Sequence, residues 1–374
     1  MGLYQESLRS IPLSRGSISS EHVTVSSSEK LPLSVAEEIK VNPLAKESLD
    51  PVFSFLLEPK FFLNNCYVTV PIETTDHKIL SPSSWGRSLP VGYGYFSYNN
   101  EFVGGVVMAK GTFLNGEYLK LDPQKSKNYF YGFNDAESCE EEINISNQLL
   151  ASGFRSSLPL GYVTLKPKLL ENFLVNRWRN EPNYKEIVEN GLNYLASEKG
   201  IPAIMFRLSG TTERMIFLQS KKYADRLSKR RKAELSRAAR LFLREAQLFP
   251  SSFVDKLGGD KTLAKNIFSV LTSISERKKI DNQGMELFAT WVLAIVKTNE
   301  KALSRLLSKN SSFKNIGSSL SSPKDTDLAL FSQDFEEIHL AGDSNPIQDE
   351  LFQYSQRMNF FIGNFLAEAE TLLK

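Results

Sequence analysis

Near residue 216 the chain changes its hydrophobic period, and that switch constrains the fold more than any other feature. Ahead of it, apolar residues come in short runs rich in β-branched and aromatic types, as in Tyr67–Val70, Pro159–Leu165 and Ala203–Leu208. Such runs read as strands. Behind it, the stretches 221–248, 262–276, 284–308 and 348–373 space their apolar residues as helices do. Strands first and helices after predict an α+β protein of two lobes. Residues 1–48, rich in Ser, Pro and Glu, read as a flexible and mostly disordered leader. A strand-rich lobe is expected over 49–216 and a helical lobe over 217–374.

Finer features follow the same logic. Phe53–Leu57 has strand composition, and the segments around Gly92–Tyr98 and Phe102–Ala109 predict a hairpin turning at Asn99-Asn100. A partly helical period covers 137–152, and Gly153 stands where that helix would stop. Gly317–Asp327 reads as a Ser-rich loop and Leu328–Phe331 as a short strand.

Composition excludes several classes. At 374 residues, 41% hydrophobic and 24% charged, the chain can bury a large core. A net charge of +2 carries no global nucleic-acid signature. Cys66 and Cys139 are too few for a disulfide framework, and His22, His77 and His339 lack the spacing of zinc ligands. No apolar run is long enough for a membrane span. A cytoplasmic protein is expected, with export as an effector left open.

Several residues carry candidate chemistry. Lys110 ends the apolar strand Gly105–Ala109 and precedes Gly111, so its ammonium can reach phosphates while the backbone stays close. Gly92-x-Gly94 upstream is a weak candidate for a phosphate-covering turn. Glu140-Glu141-Glu142 opens the next helix, and Glu142 is the carboxylate expected to orient Lys110. Arg207 is expected to end the apolar strand Ala203–Phe206, with Arg214 following across a short polar turn, so that the two clamp a polyphosphate from facing hairpin arms. Asn315 and Asp334 form the candidate Mg²⁺ pair. Asn310 stands where a kinase catalytic loop would hold its base; Asp325 and Asp327 of the adjoining loop are the candidate substitutes, although loop acids usually face solvent. The basic helix 221–248 is expected to be a solvated outer face, with RNA binding as the alternative. A strand lysine, a helix glutamate and a late aspartate, in that order, predict a protein-kinase-like bilobal fold that grips ATP.

That order resembles the selenoprotein O family of pseudokinase-fold protein adenylyltransferases, over roughly residues 105–336. Lys110-Gly111, Glu142 ahead of Gly153-Phe154-Arg155-Ser156, Leu158–Val163 and the Arg207-x6-Arg214 spacing carry the likeness. Lys314 stands where the family has an aspartate, and the family's Gly-His-Gln-Phe-Gly motif is absent. The resemblance implies ATP and Mg²⁺ as cofactors, with Lys110, Gly111, Arg207 and Arg214 on the phosphates and Asn315 and Asp334 on the metal. It implies catalysis by Lys110, Glu142 and Asp334, which would transfer AMP, or phosphate, to a hydroxyl of a protein partner. A catalytically inactive, pseudokinase-like binding module is the competing expectation.

Overall fold

The computed structural model describes residues 26–71, 88–98, 101–103, 105–111, 134–178, 200–212, 214–215, 228–310, 313–323, 326–332, 335, 338–340 and 347–374. The first half supplies β1 (Ser26–Lys30), β2 (Ala36–Val41), α1 (Pro43–Ser48), α2 (Pro59–Asn64), β3 (Tyr67–Pro71), β4 (Ser88–Tyr93), β5 (Phe96–Tyr98) and β6 (Glu101–Val103). Then come β7 (Val106–Lys110), β8 (Asn134–Asp135), α3 (Ala136–Ser152), β9 (Leu158–Leu165), α4 (Pro167–Trp178) and β10 (Pro202–Ser209). The remainder is helical: α5 (Ser228–Leu248), α6 (Pro250–Lys256), α7 (Lys261–Ser275), α8 (Asn282–Lys309), α9 (Ile316–Leu320) and α10 (Ile347–Leu373). Two short strands, β11 (Phe313–Lys314) and β12 (His339–Leu340), pair with each other among these helices. The protein is therefore α+β, and none of its described helices is long and apolar enough to cross a membrane.

The chain divides into two compact units that interleave in sequence. One comprises 1–94, 106–143 and 159–208, and the other 95–105, 144–158 and 209–374. The expected boundary near 216 falls close to the last crossing, but the second unit also takes in two short segments from the first half.

In the first unit the sheet order is β2-β9-β10-β7-β4, with β8 paired to β10. Every residue of β7, β9 and β10 is buried, which explains why these strands read as continuous apolar runs rather than alternating ones. Side chains alternate along β10. Phe206 meets the edges of Phe61 and Phe62 from α2, at 6.1 and 5.1 Å between ring centres. Ala203 and Met205, two residues apart on one face, pack with Cys139 of α3 and Tyr162 of β9.

Residues 26–48 correct the expectation of a disordered leader. They form β1, β2 and α1, and bury Leu31, Val35 and Ala45. Tertiary contacts supply what local periodicity lacked: β2 pairs antiparallel with β9, and Asn42 both caps α1 and donates to the Pro159 carbonyl at 2.7 Å. Phe53–Leu57 is likewise a 3₁₀ helix, not a strand. Pro51 opens it and the Asp50 carboxylate accepts the Val52 N–H at 3.0 Å, so start signals outweigh β propensity.

In the second unit β5 and β6 pair with Tyr98 opposite Glu101, as a turn at Asn99-Asn100 requires, although those two residues lie outside the described ones. The helices at 261–275, 282–309 and 347–373 fall within two residues of their expected bounds. Trp291 of α8 centres the packing, 5.8 Å from the Phe242 ring and 4.5 Å from Phe253. The basic helix differs from expectation. Its described part, α5, turns Arg231, Glu234, Ser236 and Glu245 inward beside Leu235 and Phe242, while Arg240 is exposed. Lys221, Lys222 and Arg226 lie outside the described residues. Of the expected Ser-rich loop, Ile316–Leu320 is helical.

Candidate functional site

Two cations in fully buried strands must find a counter-charge, because an unpaired buried ion is strongly unfavourable. Lys110, last residue of β7, and Arg207, inside β10, meet it in one carboxylate. Glu142 of α3 accepts from Lys110 Nζ at 2.7 Å and from Arg207 Nη1 at 2.6 Å. The three side chains are 2%, 1% and 5% exposed for Lys110, Arg207 and Glu142. Neighbouring strands β7 and β10 bring the cations side by side. Cys139, one helical turn before Glu142, faces the same strands, which is why α3 presents one apolar and one charged group to this surface. Burial pushes the Cys139 thiol up, and the nearby Glu142 carboxylate adds to the rise.

Within this trio two positive charges share one negative. Arg207 binds Glu142 through Nη1 alone, and among the described residues its buried Nε and Nη2 have no hydrogen-bond partner. Those two atoms form one edge of the guanidinium, the fork that matches two oxygens of a phosphate or carboxylate. Gly111 ends β7 at φ +92°, and a Cβ there would sit 2.9 Å from the Ala203 carbonyl oxygen and the Asn134 nitrogen. The chain can therefore leave the strand beside Lys110 only with glycine in that place.

Of the three acids that open this helix, Glu142 is the buried one, whereas Glu140 is exposed and binds Lys40 Nζ at 2.6 Å and the Tyr162 hydroxyl at 2.7 Å. These hydrogen bonds hold the Glu140 carboxyl below its usual range. Gly92 and Gly94 do not form an open turn. Gly92 lies within β4, and the Cβ direction of Gly94 is filled by Leu56 and Leu208.

The other expected site residues are distributed differently. Arg207 does not end its strand but lies two residues inside it, and Arg214 belongs to the second unit. No hairpin joins them among the described residues, because Asp327 captures the intervening chain. Its Oδ2 accepts the N–H groups of Gly210 and Thr211 at 2.8 and 2.9 Å, and Arg214 bridges to the Asp327 backbone. Oδ1 accepts those of Ala329 and Phe331, so 328–331 is a tight turn and not a strand. Asp327, the candidate substitute base, is fully buried where a loop acid usually faces solvent. An aspartate two residues before an amide in a turn is a known Asx pattern, and that spacing was its available signal.

Asn315 is exposed, in the left-handed region at φ 59°, at the start of α9. Its N–H and that of Gly317 donate to Glu350 of α10 at 3.1 and 2.7 Å. Asp334, its expected metal partner, lies outside the described residues, as does Asp325. Asn310 donates to Gln148 at 3.4 Å. Among the described residues no group of three His, Cys, Asp or Glu side chains could hold a metal ion.

Sequence reasoning passed over a second buried ionic cluster, in the other unit. Glu245 binds Arg155 at 2.5 Å and also Lys256, while Arg155 lies 4.9 Å from the Phe331 ring centre and 5.7 Å from that of Phe242. Burial opposes ionisation of Glu245, but Arg155 and Lys256 together hold its carboxyl below the usual range. No protein-family model, curated protein or solved structure matches this chain.

Proposed function

We propose that this chain is a kinase-like protein that binds ATP with Mg²⁺ and transfers AMP, or phosphate, to a hydroxyl of a protein partner. One observation carries the reading: Glu142 joins the buried Lys110 and Arg207, and among the described residues the Nε–Nη2 edge of the Arg207 guanidinium is left unengaged. A strand lysine fixed by a glutamate on the following helix is how kinase-like folds prepare a cation for nucleotide phosphates. Arg207 adds a bidentate donor on the adjacent strand. In this reading Glu142 positions Lys110, Lys110 and Arg207 bind phosphates, and Asn315 with Asp334 would hold Mg²⁺. Mg²⁺ held there would supply charge stabilisation to the reacting phosphates.

A second reading, a catalytically inactive, pseudokinase-like binding module, is favoured by Asp327, the candidate substitute base. This buried carboxylate engages four backbone N–H groups and so acts as a structural brace.

Thermal melting with and without ATP and Mg²⁺ tests binding, since a ligand selective for the folded chain raises the midpoint. Incubation with α- and γ-labelled ATP separates AMP transfer, phosphate transfer and neither. Arg207→Met should abolish the nucleotide-dependent shift. A shift that survives both Arg207→Met and Lys110→Met would reject the site.

A further inference from the structure

Helix α10 buries one stripe of residues, Glu350, Tyr354, Met358, Ile362, Phe365, Ala369 and Leu373, against its own unit. The opposite stripe is exposed and unusually apolar for solvent: Phe352 and Phe360 are 64% and 66% exposed. Between and beyond them on that face stand Gln356, Gly363, Ala367 and Thr371, all exposed, with Asp349 near one end of the helix and Lys374 just past the other. A Cβ at Gly363 would meet nothing within 4 Å, so the face has a shallow open seat three residues from its most exposed ring.

We propose that this face is a homodimer contact in which α10 packs antiparallel against α10 of a second copy. The sequence of the stripe is complementary to its own reverse. A two-fold axis between Phe361 and Ile362 sets Phe360 over Gly363 of the second copy, Gln356 over Ala367, and Phe352 over Thr371. Large therefore meets small along the seam, as close helix approach requires. The same axis, with no further adjustment, sets Asp349 beside Lys374 of the second copy at both ends. A parallel pairing would instead stack ring on ring and acid on acid. The helix is 27 residues long, about 40 Å at the usual rise. The proposal is independent of the nucleotide reading, since it draws on no residue of the Lys110 trio.

Sedimentation of the full chain across a concentration series tests it. A reversible monomer–dimer equilibrium is expected. Phe360→Glu and Gly363→Leu should each raise the dimer dissociation constant about tenfold or more, with the helical circular dichroism of the chain unchanged. Asp349→Lys should weaken the dimer, and Asp349→Lys combined with Lys374→Asp should restore it, because the two charges exchange places across the axis. A monomer at every concentration overturns the proposal, as does a dimer indifferent to both Phe360→Glu and Gly363→Leu. A dimer sensitive to those two but blind to the charge exchange overturns the antiparallel register.

Discussion

Arg207 sits in the middle of a strand whose every residue is buried, and a guanidinium there is tolerable only because Glu142 meets it. Removing the carboxylate's charge takes the counter-charge from Arg207 and one partner from Lys110. Glu142→Gln is therefore expected to cost about 3–5 kcal/mol, the range for breaking a buried ion pair, measured as a lowered urea midpoint. At this scale the sequence was partly legible. Lys110 and Glu142 could be paired from strand and helix position, and the structure joins them at 2.7 Å. Arg207 was assigned to a strand end because nothing local tells whether Leu208 and Ser209 continue the strand. Cys66 and Cys139 offer a second check. Burial pushes the Cys66 thiol up to about 12 and raises the Cys139 thiol as well, so neither forms thiolate at neutral pH. Both should ignore an aromatic disulfide reagent in the folded chain and react on unfolding, followed by absorbance.

Elements in this chain are held to one another by single polar side chains more than their lengths suggest. Asp327 pins the segment after β10 to the turn at 328–331 through four N–H groups. Asp327→Ala would leave those buried donors without an acceptor, and a loss of about 3 kcal/mol or more is expected, read from denaturant unfolding. Gly161 controls the junction of β2 with β9: its φ is +149°, and a Cβ would lie 2.1 Å from the Lys40 carbonyl oxygen. Gly161→Ala should loosen that edge, seen as faster amide exchange in β2 with little change in the helices at 261–309. By contrast, the Asp260 cap of α7 is a local and exposed device that accepts from Thr262 and Leu263 at 2.9 Å. Asp260→Ala should cost about 1 kcal/mol by the same denaturant measurement. Helix bounds were legible because caps and apolar periods lie in the sequence itself. The turn at 328–331 was not, because its four-residue apolar run mimics a strand unless the burial of Asp327 is known.

Across the whole molecule, acid sensitivity follows from Glu245. Its carboxyl is held below the ordinary value of 4.5, so the folded chain binds that proton more weakly than the unfolded one. The stabilisation is complete above the ordinary carboxylate range and is lost as pH falls through the lowered folded value. Stability of the parent chain should thus fall steeply in acid, whereas Glu245→Gln should be less stable near neutrality and show a shallower decline. Urea midpoints recorded at a series of pH values check both. What the sequence determined alone was the menu of elements: buried strands from unbroken apolar runs, long helices from their period, and a strand-to-helix order. Those signals arise among residues a few positions apart. Tertiary structure alone decided which charges go inside and with whom. Glu142 meets Arg207 from 65 residues away, and Arg155 meets Glu245 from 90. Burial depends on what packs over a residue, and no local pattern carries that information.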